Sequence, residues 1–116
     1  MNKSIVKEKS YHFALSIIQL CQKLKSDREF ELANQLLRSG TSIGANIEEA
    51  IAGQSRRDFI SKMSIALKEA RETNYWLRLL LDSNIVSSSN INPLINESEE
   101  LIKILFKIVE STSKNN

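Results

Sequence analysis

Residues 38–50 read RSGTSIGANIEEA. By composition the stretch resembles a loop, because Ser39, Gly40, Thr41, Ser42 and Gly44 are each poor residues for a helix interior. Spacing argues otherwise. The preceding FELANQLL and the later Ile47 and Ile51 keep a three- and four-residue step running through it. Ala33, Leu37, Gly40, Gly44, Ile47 and Ile51 form one stripe, and Leu32, Leu36, Ser39, Ile43, Asn46 and Ala50 form an adjoining one. A helix with two adjoining stripes packs on more than one neighbour. Glycine in a helix interior costs about 1 kcal/mol relative to alanine. Gly40 and Gly44, four residues apart, share one face, which predicts that another helix approaches closely there. Arg38, Ser42, Ala45 and Glu49 share a different face. The alternative, a phosphate-cradling loop, lacks both the lysine and the preceding strand of such a motif.

The rest of the chain supports a helical protein. Among 116 residues, 41% are hydrophobic, with one Pro, three Gly and few aromatics, and this excludes a disordered or fibrous chain and argues against a β-sandwich. The length suits a single domain. No apolar run approaches the roughly 20 residues needed to span a bilayer. The N-terminal MNKSIVKEKSYH carries charge where a signal peptide needs an apolar core, so a cytoplasmic location is expected. The lone Cys21 rules out an internal disulfide and a cysteine-built zinc site, and its apolar neighbours predict a buried thiol. A net charge of +2 permits a nucleic-acid partner without requiring one.

Four amphipathic segments emerge. The first, about 4–24, repeats Val6, Phe13, Ile17, Leu20 and Leu24. Ser26 with Glu29 resembles a capping box, so a second helix is expected over 27–52, with Gly53 as its C-terminal cap. Ser55 with Asp58 is a further capping box, opening a helix over 56–82 whose seam is Phe59, Met63, Ala66, Ala70, Thr73, Leu77 and Leu80. After the polar linker 83–92, Asn92 and Pro93 suit a helix start, and Leu94, Ser98, Leu101, Leu105 and Ile108 run through a helix over 93–111. The tail TSKNN is expected to fray. The fold class is all-α: an up-and-down antiparallel four-helix bundle, left-handed. Asn46, Asn74 and Ser39 lie on apolar stripes and are expected to hydrogen-bond between helices, fixing register.

Catalytic chemistry finds little support. A di-iron bundle needs two Glu-x-x-His pairs, and the chain has one histidine, His12. Bundle ribonucleases that carry a histidine shortly after an arginine are excluded too, because His12 precedes every arginine. Glu48 with Glu49 and Glu69 with Glu72 are read as structural carboxylates, Glu72 pairing with Lys68 or with a base on a neighbouring helix. No enzyme activity, cofactor, metal or small-molecule substrate is expected. Arg56, Arg57, Lys62, Arg71 and Arg78 along the third helix are the candidate nucleic-acid-binding residues. Ile65, Trp76 and Leu79 fall outside the core seam and are the candidate subunit contact.

QLLRSGTSIGANIEEA followed by SRRDFISKMSIALKEARETNYWLRLL resembles the four-helix-bundle family of 23S rRNA intervening-sequence proteins. The shared pattern is carried by Arg38, Ser39, Ser42, Ile43, Ala45, Asn46, Ile47 and Glu49, then by Ser55, Asp58, Phe59, Ala66, Glu72, Tyr75 and Trp76. Lys68–Glu69 and Ala50 depart from it. The resemblance implies a bundle assembling as a ring, a homopentamer. It also implies kinship with accessory proteins of diversity-generating retroelements, which bind nucleic acid and a reverse transcriptase through a basic ring surface. Two functions compete on this basis. One is a non-enzymatic ring that binds structured RNA or a nucleoprotein; the other is a protein–protein adaptor that binds no nucleic acid.

Overall fold

The computed structural model describes residues 3–114. Four helices follow one another: α1 (Lys3–Ser26), α2 (Phe30–Ala52), α3 (Arg56–Asp82) and α4 (Ser88–Lys114). Each packs against its neighbours in sequence, and α4 returns to touch α1. Cross-helix partners run in opposite senses along each pair. Between α1 and α2, Gly44 lies against Ser10 and Gly40 against Ile17, while Cys21 Sγ donates to Ala33 O. Between α2 and α3, Glu49 pairs with Lys62 and Thr73 donates to Ser39. Between α3 and α4, Arg56 donates to Thr112 O and Asn74 to Ser98. Successive helices are therefore antiparallel. The result is a rod of 47 × 20 × 19 Å; a helix of 27 residues accounts for about 40 Å of that length.

The core follows the apolar periodicity. In α3 the buried residues Met63, Ala66, Ala70, Thr73, Leu77 and Leu80 are the expected seam, with Phe59 half-buried at its end and Asn74 added. In α4 the seam Leu94, Ser98, Leu101, Leu105 and Ile108 gains Ile91, which is fully buried. In α1, Cys21 takes the place expected for Leu20, which is only half-buried. Burial raises the Cys21 thiol pKa to about 11, so the group stays protonated at neutral pH.

Helix ends depart from the sequence-based boundaries in three places. The Ser26–Glu29 capping box does not form: α1 runs to Ser26, and α2 begins at Phe30 with no side-chain cap from Glu29. Instead, Glu29 N–H donates to Leu24 O and Arg28 N–H to Lys25 O, with Arg28 at φ 67°, a Schellman turn that closes α1. Helix α3 ends the same way around Asn84. Pro93 does not start α4. The helix begins at Ser88, one turn earlier, because that turn brings Ile91 onto the buried seam; Pro93 sits inside it. Thr112 to Lys114 remain helical, and the last two residues of the tail lie outside the described region. Two other expectations are met locally: Ser55 accepts from Asp58 N–H, and Gly53 caps α2, though in an extended conformation rather than a left-handed one.

Candidate functional site

Helix α3 sorts its surface into two outer lines, one on each side of the core seam. Facing α2, the four- and three-residue step passes through Ile65, Glu69, Glu72, Trp76 and Leu79. The three residues expected at a subunit contact thus fall on one line. Ile65 and Leu79 are exposed, and Trp76 is half-buried against the core. The acids between them are held within the chain. Arg38 reaches from α2 to Glu69 at 3.3 Å and also pairs with Glu72, and Trp76 Nε1 donates to Glu72 Oε2 at 3.0 Å. The partner of Glu72 is therefore Arg38 rather than Lys68. Lys62 pairs with Glu49 at 2.9 Å on this same side.

On the outer surface turned away from α2 and from the seam, the same step gives Arg57, Ser61, Ser64, Lys68, Arg71, Tyr75 and Arg78. This line carries cations, two hydroxyls and an exposed tyrosine, with no carboxylate. Among the described residues Arg57, Lys68, Arg71 and Arg78 make no ion pair. Arg78 Nε donates to Asn74 Oδ1 at 2.8 Å, and its guanidinium lies 5.9 Å from the Tyr75 ring centre. From Arg57 to Arg78 the line spans about 32 Å.

The five basic residues singled out in the sequence do not form one surface. Arg57, Arg71 and Arg78 do. Lys62 belongs to the opposite line and is neutralised there, and Arg56 turns towards the end of α4 to bond Thr112 O at 3.3 Å. Lys68 and Tyr75 belong with the three arginines as binding candidates. The signal that finds them is the step from Arg71, four residues forward to Tyr75 and three back to Lys68.

The motif in α2 is structural. An added Cβ on Gly40 would stand 2.8 Å from Ile17 Cγ2, and one on Gly44 would stand 3.3 Å from Ser10 Oγ, so both glycines mark where α1 comes close. Ser39 accepts from Thr73 at 2.9 Å, and Asn74 donates to Ser98 at 2.9 Å; both are interhelical bonds. Asn46 is not a register pin: its Nδ2 donates to Ser42 O within α2, and the side chain is only half-buried. Ser42 in turn bonds Arg38 O. Glu48 and Glu49 are exposed, each paired with a lysine, Lys7 and Lys62. His12 is exposed beside Glu8 at 3.9 Å. Among the described residues, no cluster of His, Cys, Asp or Glu is placed to hold a metal ion, and no helix is long and apolar enough to cross a membrane.

The family model described as 23S rRNA-intervening sequence protein matches residues 2–107. The chain belongs to that family. A crystal structure of a protein of unknown function from the S23 ribosomal protein family of Bacteroides thetaiotaomicron VPI-5482 superimposes with a TM-score of 0.90. It is 46% identical, over 95% of this chain and 99% of that one. No curated protein matches the chain. In this family member, then, the most recognisable motif builds the α1–α2 and α2–α3 contacts, and the surface chemistry lies on α3.

Proposed function

We propose that this member of the 23S rRNA-intervening sequence protein family is a non-enzymatic, cytoplasmic protein. It forms a ring, a homopentamer as the family resemblance implies, and binds structured RNA or a nucleoprotein. The observation that carries this reading is the line of Arg57, Lys68, Arg71 and Arg78 on α3, with Tyr75 among them and no acid interleaved. Cations spread along a rod attract a phosphate backbone without reading its sequence, and an exposed aromatic offers a stacking face for an unpaired base. The opposite line of α3, with Ile65 and Leu79 exposed and its acids Glu69 and Glu72 both held by Arg38, supports a subunit contact.

The test is binding of a structured RNA hairpin, followed by fluorescence anisotropy. Four cations neutralise at most four phosphates per protomer, so log K should fall with log salt at a slope of about −3, an affinity loss of roughly 60-fold per protomer between 50 and 200 mM salt. Lys68→Ala with Arg71→Ala should weaken binding uniformly across RNA sequences, whereas Lys62→Ala should leave it unchanged. A protein that retains no RNA at 50 mM salt is not an RNA binder, and the adaptor role would replace this one.

A further inference from the structure

Between α1 and α4 the bundle leaves apolar surface and uncommitted polar groups in the same opening, a cleft of about 600 Å³. Small-molecule sites run from about 300 to 1,000 Å³. The depth of the cleft is aliphatic, built by Leu20 and Leu24 of α1, Leu94 of α4, and Ile85 and Val86 of the α3–α4 connection. Leu24 is 1% exposed and Leu94 7%, so the floor reaches the core, whereas Leu20, Ile85 and Val86 are half-buried and keep apolar surface in contact with water. The rim is polar. Ser16, Gln19 and Asn90 make no side-chain hydrogen bond among the described residues, and Glu97 makes no ion pair. Lys23 and Asp27, also on the rim, hold each other at 3.3 Å.

We infer that this cleft binds a small organic cation, an amine carried on an apolar body, with the body on the aliphatic floor and the ammonium at Glu97. The inference goes beyond the RNA-binding reading and does not depend on it.

The sign of the charge is the first argument. A smaller opening of about 320 Å³ adjoins the cleft through Glu97. Over the two together, Glu8, Asp27, Glu97 and Glu100 outnumber Lys9 and Lys23, on a chain whose net charge is +2. Lys9 is bound to Glu100 at 2.5 Å, Lys23 to Asp27, and His12 lies beside Glu8 at 3.9 Å. Glu97 is the acid left over; it acts on Lys9 only at a distance. An anion would have to take Lys23 from Asp27 and would still stand against Glu97. A cation neutralises Glu97 and disturbs neither existing pair.

Hydrogen bonding points the same way. An ammonium brings three donors and no acceptor, and it meets a carboxylate together with the free side-chain oxygens of Ser16, Gln19 and Asn90. The shape of the face favours a compact ligand. The α3–α4 connection roofs one end of the cleft, and beyond the other end the Lys9–Glu100 pair bridges the two helices. A helix or strand laid along α1 and α4 would have to break that bridge, whereas a small molecule fits beside it. An opening of about 480 Å³ at the other end of the rod lacks this availability: its Arg56 donates to Thr112 O, and its Lys3 lies over the Phe59 ring.

Three probes with one body and different heads test the assignment: phenylbutylamine, phenylbutanol and phenylbutyrate, each titrated into the isotope-labelled full chain and followed by amide chemical shifts. Phenylbutylamine should shift residues 16–27 and 85–97 saturably, and the other two should bind about fivefold more weakly. Ser16→Trp, which fills the cleft from its half-exposed edge, should abolish the amine's shifts. Glu97→Lys, at an exposed position that leaves the core untouched, should invert the preference so that phenylbutyrate binds better than phenylbutylamine. Equal binding of all three probes to wild type would overturn the cation assignment, as would a Glu97→Lys protein that still prefers the amine. The absence of saturable shifts around the cleft would overturn the site itself. A lysine-rich heptapeptide that binds there more tightly than the free amine would give the cleft to a protein segment, and the small-molecule assignment would be wrong.

Discussion

At Gly40, an added Cβ would meet Ile17 Cγ2 at 2.8 Å, Cγ1 at 3.0 Å and Cβ at 3.3 Å. Ile17 is fully buried and β-branched, with one strongly preferred helical rotamer, so it has no room to turn away. Alanine at position 40 would gain about 1 kcal/mol of helix propensity but incur an overpacking cost of roughly 1–3 kcal/mol. Gly40→Ala should therefore destabilise the protein by about 1 kcal/mol. At Gly44 the nearest atom is Ser10 Oγ, at 3.3 Å. A small shift of a serine side chain relieves that contact, and the propensity gain then dominates. Gly44→Ala should be neutral or stabilising by up to about 1 kcal/mol. Paired urea titrations measure the difference; equal effects at the two sites would mean that α1 does not approach Gly40 as closely as the distances state.

Helix ends show how far the sequence can be read. Arg28 holds φ at 67°, a conformation that costs a side-chain-bearing residue about 1 kcal/mol and glycine almost nothing. It is exposed and forms no ion pair among the described residues. Arg28→Gly should raise stability by about 0.5 kcal/mol once the greater freedom of glycine in the unfolded chain is subtracted, and so raise Tm by a few degrees in a thermal melt. Asn84, which tolerates the left-handed region better, should gain less from the same change. The turn at Arg28 was hidden because its geometry comes from two backbone bonds, to Leu24 O and Lys25 O, and from no glycine signal; Ser26 and Glu29 imitated a cap instead. Pro93 misled in the same way. A proline suits a first turn, but burial of Ile91 was worth more than the bond Pro93 cannot donate. The buried seams of α3 and α4 were legible because helical spacing and apolarity coincide there. The candidate site was legible only in part. Its residues differ in type, so the basic line emerges from the three- and four-residue step and not from counting arginines, and only the cross-helix partners show that Lys62 and Arg56 are already engaged.

On the scale of the whole rod, the four helices are not equally held. Helix α2 packs along its length on α1 and on α3, and its core residues Leu36, Ile43 and Ile47 are wholly buried. The contact between α1 and α4 is the slightest of the four that close the bundle. A cleft of about 600 Å³ opens there, floored by Leu20, Leu24 and Leu94 and roofed by Ile85 and Val86 of the α3–α4 connection. Lys9 and Glu100, at 2.5 Å, bridge the two helices further along, but both are exposed, and an exposed pair contributes little. Local opening should therefore begin where α4 leaves α1, exposing the turn around Ile91 while α2 stays folded. Native-state hydrogen exchange checks this. Amides of residues 91–97 should exchange through a partial opening well below the global unfolding free energy, and those of 36–47 only through global unfolding. If assembly covers the outer line of α3, raising protein concentration should increase protection in α3 further and leave the first turns of α4 as they were. Equal slowing of all four helices would mean that the copies meet across the α1–α4 face.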